Sequence, residues 1–207
     1  TLPAEIALNA DRVAHVVPRV EGMIYRVDKN LGDDVQAGDV LAVLESRELA
    51  EAKTAYLSAQ QRLALAEVKL QSAEELHAQQ ITPDLEFRSV QMAKTAAEIE
   101  LRASENKLHT LGVSEEQIKE LPNNGAGFAL YELRAPFAGT VVSKHCSLGE
   151  VLNSESDAFV LADLSTVWAN ITVYSQDMGR VRIGQTVHLW SDVLGTSISG
   201  KVCYMTP

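Results

Sequence analysis

Two stretches of this 207-residue chain repeat one another at a spacing of 117 positions, as from Gly22 to Gly139. At that spacing Ile24 also meets Val141, Leu31 meets Leu148, Gly32 meets Gly149, Val35 meets Leu152, Val43 meets Val160 and Leu44 meets Leu161. Pro18 and Pro136 fall one residue out of step, and Gly38 meets Glu155. Such a repeat predicts two equivalent halves packed about a pseudo-twofold axis, because neither alone is large enough to bury its apolar face. The halves read as short strands. Ala14 to Leu44 carries runs of Val, Ile and Leu punctuated by Pro18, Gly22, Gly32 and Gly38, and the same texture returns from Tyr131. Gly139 is expected in a turn that needs positive φ, so that Gly139→Val would destabilise the paired halves.

What separates the halves has a different character. Between Glu48 and Gln80 there is neither Gly nor Pro, and Ala, Leu, Glu, Gln and Lys dominate, which predicts one long helix. Leu49, Ala52, Tyr56, Ala59, Leu63, Ala66, Leu70, Ala73 and His77 recur in steps of three and four, the pattern of a coiled-coil seam. At about 1.5 Å per residue such a helix reaches roughly 50 Å. Ile81-Thr82-Pro83-Asp84 breaks it, with Thr82 suited to an N-cap and Pro83 to the first position of a returning helix. That helix is expected from Asp84 to about Leu111, with a seam through Leu85, Ser89, Met92, Ala96, Ile99 and Ala103 and Gly112 as its C-cap. Ser114 to Gln117 reads as a capping box opening a short helix that ends near Leu121-Pro122, and Asn123-Asn124-Gly125 reads as a loop.

Charge and composition exclude several classes of function. A net charge of -10 and a pI near 5.0 leave no basic field for nucleic acid or an anionic membrane surface. No apolar run approaches the roughly 18–20 residues that span a bilayer, and Thr1-Leu2-Pro3 does not open a signal peptide. Cys146 and Cys203 have no C-x-x-C spacing and are expected to be packed thiols, with no zinc or redox site. No phosphate loop, nucleophile elbow or H-E-x-x-H is present, and Glu67, Glu74, Glu75, Glu98 and Glu100 read as solvated helix charges, so no catalytic residue is assigned. The histidines at 15, 77, 109, 145 and 188 do not pair with one another at ligand spacing, and Met23, Met92, Met178 and Met205 are scattered. His145 and Cys146 are adjacent, which in a strand sends them to opposite faces. Neither metal nor cofactor is expected.

The phrases P-R-V-E-G-M-I and L-G-D-D-V-Q-A-G-D-V-L-A-V-L-E between 18 and 45 resemble the first half of a biotinyl/lipoyl carrier domain, and A-P-F-A-G-T-V-V with L-G-E-V-L at 135–152 resembles the second. Carrier domains join their halves by a hairpin whose tip presents a modified lysine. Here the equivalent position reads Glu45-Ser46-Arg47-Glu48, without a lysine, and a helical hairpin replaces the turn. A lipoyl-like domain split in this way is similar to the periplasmic adaptor (membrane fusion) proteins of tripartite efflux pumps. D-L-S-T-V-W-A-N-I-T-V-Y-S-Q-D-M at 163–178 and V-R-I-G-Q-T-V-H-L at 181–189 resemble the opening of the adaptor β-barrel, in which Val167, Ala169, Ile171 and Val173 would face the core. D-R-V-A-H-V-V-P-R-V-E-G at 11–22 and S-R-E-L-A-E-A-K-T-A-Y at 46–56 are most similar to the heavy-metal branch serving resistance-nodulation-division (RND) pumps.

The resemblance implies a mixed α and β fold: an entering β-barrel strand at 1–14, lipoyl-like half 1 at 15–46, an α-helical hairpin at 47–121 with its tip near 79–84, a loop and lipoyl-like half 2 at 122–163, and an incomplete β-barrel domain at 164–207. It implies a non-enzymatic periplasmic subunit, anchored to the inner membrane in the full-length protein, that bridges an inner-membrane RND pump and an outer-membrane channel protein for heavy-metal cations. Self-association into a hexameric ring is implied for the full-length protein, while this chain, taken as a portion lacking the membrane-proximal domain, is expected to be monomeric or weakly associating. Partner contact is assigned to the tip: Leu76, Gln79, Gln80, Ile81, Thr82, Pro83 and Asp84. Many adaptors carry Arg-x3-Leu-x6-Ser there; with Thr82 in the serine place, Gln71 and Glu75 stand where arginine and leucine are expected, and Leu76 is one residue off. The alternatives are an adaptor of a drug-efflux or ATP-driven secretion system, a swinging-arm carrier, and a chaperone that hands metal to the pump.

Overall fold

The computed structural model describes residues 2–121, 127–174, 177–191 and 195–206. The loop expected at Asn123-Asn124-Gly125, with Pro122 before it, lies outside the described residues, as do Ser175 and Gln176 of the barrel-like string. In chain order the elements are β1 (Ala4–Leu8), β2 (Val13–Val16), β3 (Gly22–Val27), β4 (Asp34–Val35), β5 (Val40–Glu45), α1 (Arg47–Ala78), α2 (Asp84–Thr110), α3 (Glu115–Glu120), β6 (Leu130–Arg134), β7 (Gly139–Lys144), β8 (Val151–Leu152), β9 (Phe159–Ala162), β10 (Val167–Ile171), β11 (Thr186–Ser191) and β12 (Thr196–Lys201). They divide into two compact units, one of residues 14–162 and one of residues 1–13 with 163–207.

In the larger unit the two repeats exchange strands. One four-stranded sheet runs β2-β9-β7-β4 and the other β6-β5-β3-β8, so each contains strands from both halves. The equivalence reaches single hydrogen bonds. Gly32 N–H donates to the Val141 carbonyl at 2.8 Å and Gly149 N–H to the Ile24 carbonyl at 2.9 Å; Val141 N–H donates to Asp33 at 2.9 Å and Ile24 N–H to Glu150 at 2.8 Å. Even the register irregularities correspond, at Ile24/Arg26 in β3 and at Val141/Ser143 in β7. Val16, Ile24, Val35, Leu41, Leu44, Leu133, Val141, Leu152, Phe159 and Leu161 fill the space between the sheets. Each half supplies about half of this core, which is why the chain must return after the helical excursion.

Gly139 corrects one expectation. It has no positive φ; it starts β7, and a Cβ there would lie 2.7 Å from the Ala162 carbonyl oxygen. Gly22, its repeat mate, would place a Cβ 2.7 Å from the carbonyl of Glu45. Glycine is required by the close approach of a neighbouring strand, not by backbone handedness.

The strand texture becomes helix at Ser46. Its backbone N–H still bonds the Ala129 carbonyl at 2.8 Å, as a strand residue would, while its fully buried hydroxyl accepts from Leu49 N–H at 3.4 Å as the α1 N-cap. At about 1.5 Å per residue the 32 residues of α1 extend about 48 Å. Its seam is as read: Leu49, Ala52, Tyr56, Ala59 and Ala73 are buried, and Leu63, Ala66, Leu70 and His77 are half-buried. The α2 seam is not. Phe87, Val90, Lys94, Ala97, Leu101, Ser104, Glu105 and Leu108 are the covered positions, whereas Leu85, Ser89, Met92, Ala96, Ile99 and Ala103 are exposed. The true seam is disguised by Lys94 and Ser104, and Lys94 stays covered by ion-pairing with Glu98 one turn on, which raises its pKa through the hydrogen bond between them. Arg62 on α1 pairs with Glu100 on α2 and ties the two helices in register.

Side-chain cover is thickest at the base of the hairpin. There Val20, Leu49, Ala52, Tyr56, Leu108, Leu111, Val113, Ile118 and Leu121 form a second core. Helix α2 ends in a Schellman motif: Gly112 has φ +88°, Gly112 N–H donates to His109 and Val113 N–H to Leu108. Ser114 then caps α3 with the expected box, its hydroxyl accepting from Gln117 N–H while the Gln117 side chain accepts from Ser114 N–H at 3.0 Å.

The smaller unit contains the antiparallel pair β1-β10 and the hairpin β11-β12. Ala169, Ile171 and Val173 alternate as half-buried positions, but Val167 is exposed, and no described residue of this unit is fully buried. Arg12 ties its two chain segments together through Asp163 at 2.6 Å and Ser165 at 2.8 Å.

Candidate functional site

The turn between α1 and α2 is built to a single conformation. Ile81 N–H donates to the Leu76 carbonyl at 3.0 Å and Gln80 N–H to His77 at 2.9 Å, the bonds of a Schellman motif. Such a motif favours glycine at its left-handed position, yet this chain places Gln80 there with φ 59°, the one non-glycine residue with positive φ among the described residues. Gln80→Gly is therefore expected to stabilise the chain by about 0.5–1 kcal/mol in a denaturation experiment, and a neutral or destabilising result would contradict strain at that position.

On the other side of the turn Pro83, not Thr82, is the N-cap. Its carbonyl accepts the first intrahelical bond, from Phe87 N–H at 3.1 Å, which places Asp84 as the first helical residue. The Thr82 carbonyl points back to His77 Nδ1 at 3.0 Å, and the His77 ring stacks on Phe87 with centroids 4.5 Å apart and planes 1° from parallel. A carbonyl can only accept, so His77 carries its proton on Nδ1 in this bond. His77 Nε2 lies 3.7 Å from Asp84. His77 thus closes the turn through one ring face and both ring nitrogens, a role that reading it only as the end of a helical seam misses. Its signal in the sequence is that His77 and Phe87 stand five residues to either side of Thr82.

The structure brings the assigned residues together on this turn. Leu76, Gln79, Gln80, Ile81, Pro83 and Asp84 are exposed and Thr82 is half-buried, with Ile81 at 63% and neighbouring Leu85 at 82% of full exposure. Gln71 and Glu75 are also exposed. The tip therefore presents amides, one carboxylate and two aliphatic side chains on a fixed backbone, a surface suited to docking.

Three other histidines each meet one polar neighbour. His15 pairs with Asp157 at 3.0 Å, His145 with Ser143 at 2.8 Å and His188 with Ser199 at 3.0 Å. His145 is exposed and Cys146 buried, but both lie just beyond the end of β7 and not in a strand, and burial pushes the Cys146 thiol pKa up. Cys203 departs from expectation: it is exposed, at the end of the β11-β12 hairpin.

A family model described as CzcB-like, barrel-sandwich hybrid domain matches residues 12–163. The chain is 39% identical over 203 residues to the cation efflux system protein CzcB of Alcaligenes sp. and 38% identical over 203 residues to the cobalt-zinc-cadmium resistance protein CzcB of Cupriavidus metallidurans, in each case across 98% of this chain and 38% of the relative's length. The chain thus spans well under half of either relative. Among solved structures it is similar to ZneB from Cupriavidus metallidurans, at 28% identity and a TM-score of 0.69, covering 98% of this chain and 82% of that one.

Proposed function

Because the chain belongs to the CzcB-like family of periplasmic adaptor, or membrane fusion, proteins of heavy-metal RND efflux systems, we propose that it is part of an adaptor that bridges an inner-membrane RND transporter and an outer-membrane channel to export divalent heavy-metal cations. The observation that carries this reading is likeness across 98% of the chain to two proteins named for cation efflux and for cobalt-zinc-cadmium resistance. The protein acts as a scaffold, without catalysis. Residues 15–46 serve as lipoyl-like half 1, 47–121 as the hairpin, 122–163 as a loop and lipoyl-like half 2, and 1–14 with 164–207 as part of a β-barrel domain.

In this reading the hairpin tip, from Leu76 through Asp84, meets the channel. Long helices with few local degrees of freedom carry that contact about 48 Å from the sheets. Exposed Leu85, Met92 and Ile99, seven residues apart on α2, offer a stripe for neighbouring subunits in a hexameric ring of the full-length protein. No helix among the described residues is long and apolar enough to cross a membrane.

Complementation tests the reading. A bacterial strain that lacks its own adaptor but keeps the cognate pump and channel is supplied with a full-length adaptor carrying these 207 residues. Restored growth in cobalt, zinc or cadmium is expected. Restored tolerance to drugs with unchanged cation sensitivity would instead identify a drug-efflux adaptor.

A further inference from the structure

At the opposite end of the hairpin from its tip, Glu105, His109 and Glu115 converge, each offering one ligand atom, with all three atoms within 4.8 Å of one another. Glu105 and His109 are four residues apart on α2 and share a face, while the Schellman turn at Gly112 brings Glu115 of α3 back beside them. His109 Nδ1 lies 3.1 Å from the Val113 carbonyl and must donate its proton there, which aims Nε2 at Glu115 Oε2, 3.5 Å away. This is the arrangement in which an imidazole is held by a backbone carbonyl on one nitrogen and presents the other as a ligand. Two ligands on a tetrahedral ion with bonds of about 2.0–2.2 Å stand roughly 3.3–3.6 Å apart; the His109–Glu115 pair has that separation, and the Glu105 carboxylate lies within 4.8 Å of both.

Lys119, largely exposed, lies 3.2 Å from Glu115 on the outer side of this cluster, a contact that a bound cation would compete with.

We propose that Glu105, His109 and Glu115 form a divalent-cation site that clamps α2 to α3 at the base of the hairpin. One imidazole nitrogen and two carboxylate oxygens suit borderline ions such as Zn2+ and Co2+ and disfavour soft Cu+. The site is independent of the adaptor reading, since it rests on three side chains within one unit. It escapes a search for paired histidines because two of its ligands are carboxylates.

The test uses the 207-residue chain with Cys203→Ser, which removes the one exposed thiol. Zn2+ is titrated by calorimetry and Co2+ by visible absorption. One ion per chain is expected, with His109→Gln and Glu115→Gln each weakening binding at least about tenfold and Lys119→Ala strengthening it by freeing Glu115. All three substitutions lie on the surface, and circular dichroism checks that the helices are retained. Binding that is as tight in His109→Gln as in the parent, or no uptake at millimolar Co2+, overturns the proposal.

Discussion

Gly139→Val is expected to destabilise the two-sheet unit by about 2–4 kcal/mol, lowering the melting temperature by roughly 10 °C. The added Cβ would stand 2.7 Å from the Ala162 carbonyl and 3.3 Å from the Phe137 ring. The first of these is backbone in a paired strand, held by the β7-β9 register from Thr140↔Ala162 onward, and it cannot retreat without breaking the ladder. Alanine at Gly139 should carry much of the same cost, since the clash is with Cβ itself. Gly22 is the internal control, because it meets Glu45 in the same geometry. Gly149 is the contrasting one: its Cβ would meet nothing within 4 Å, and its φ of +80° leaves only the backbone strain of about 1 kcal/mol for Gly149→Ala. Equal melting temperatures for Gly139→Val and the parent chain would contradict the close approach.

The second large effect is expected at the tip. In full-length protein, the double variant Gln79→Glu and Gln80→Glu should lose cation resistance while its stability changes by less than about 0.5 kcal/mol. Both side chains are exposed and make no packing contact that the hairpin needs. Binding is far more sensitive than folding here, because a small rigid tip engages its partner through few groups. A carboxylate desolvated there without a counter-charge costs several kcal/mol, a hundredfold or more in affinity. His15→Ala, His145→Ala and Cys146→Ala should retain resistance, although Cys146, at 3% exposure, gives up some core packing. If the tip variant exports normally and the histidine and cysteine variants fail, the scaffold reading is lost and metal handling by those groups replaces it.

Much of this architecture was legible before any coordinates. The correspondence of Gly22 with Gly139 and of Gly32 with Gly149 identified two equivalent halves, and the run from Leu49 to His77 identified the α1 seam, because both are carried by residue type at regular spacing. The exposed turn from Gln79 to Asp84 followed from the break in that run. These features depend on local conformational preference and on periodic burial, which a one-dimensional pattern records directly.

Contacts between distant residues decided the rest. The α2 seam runs through Phe87, Lys94 and Leu101 and not through Leu85, Met92 and Ile99, because the facing helix selects which stripe is covered, and the aliphatic stem of a lysine can occupy the seam while its ammonium reaches Glu98. Gly139 is needed because a neighbouring strand comes within reach of its Cβ, a fact about Ala162 that no neighbour in sequence reveals. His77 shapes the tip by stacking on Phe87, and Glu105, His109 and Glu115 meet only after the turn at Gly112 folds α3 back on α2. Periodicity specifies which elements form and roughly which faces are apolar. Which side chains then meet depends on helix rotation and strand proximity, quantities fixed by packing among residues far apart in the chain.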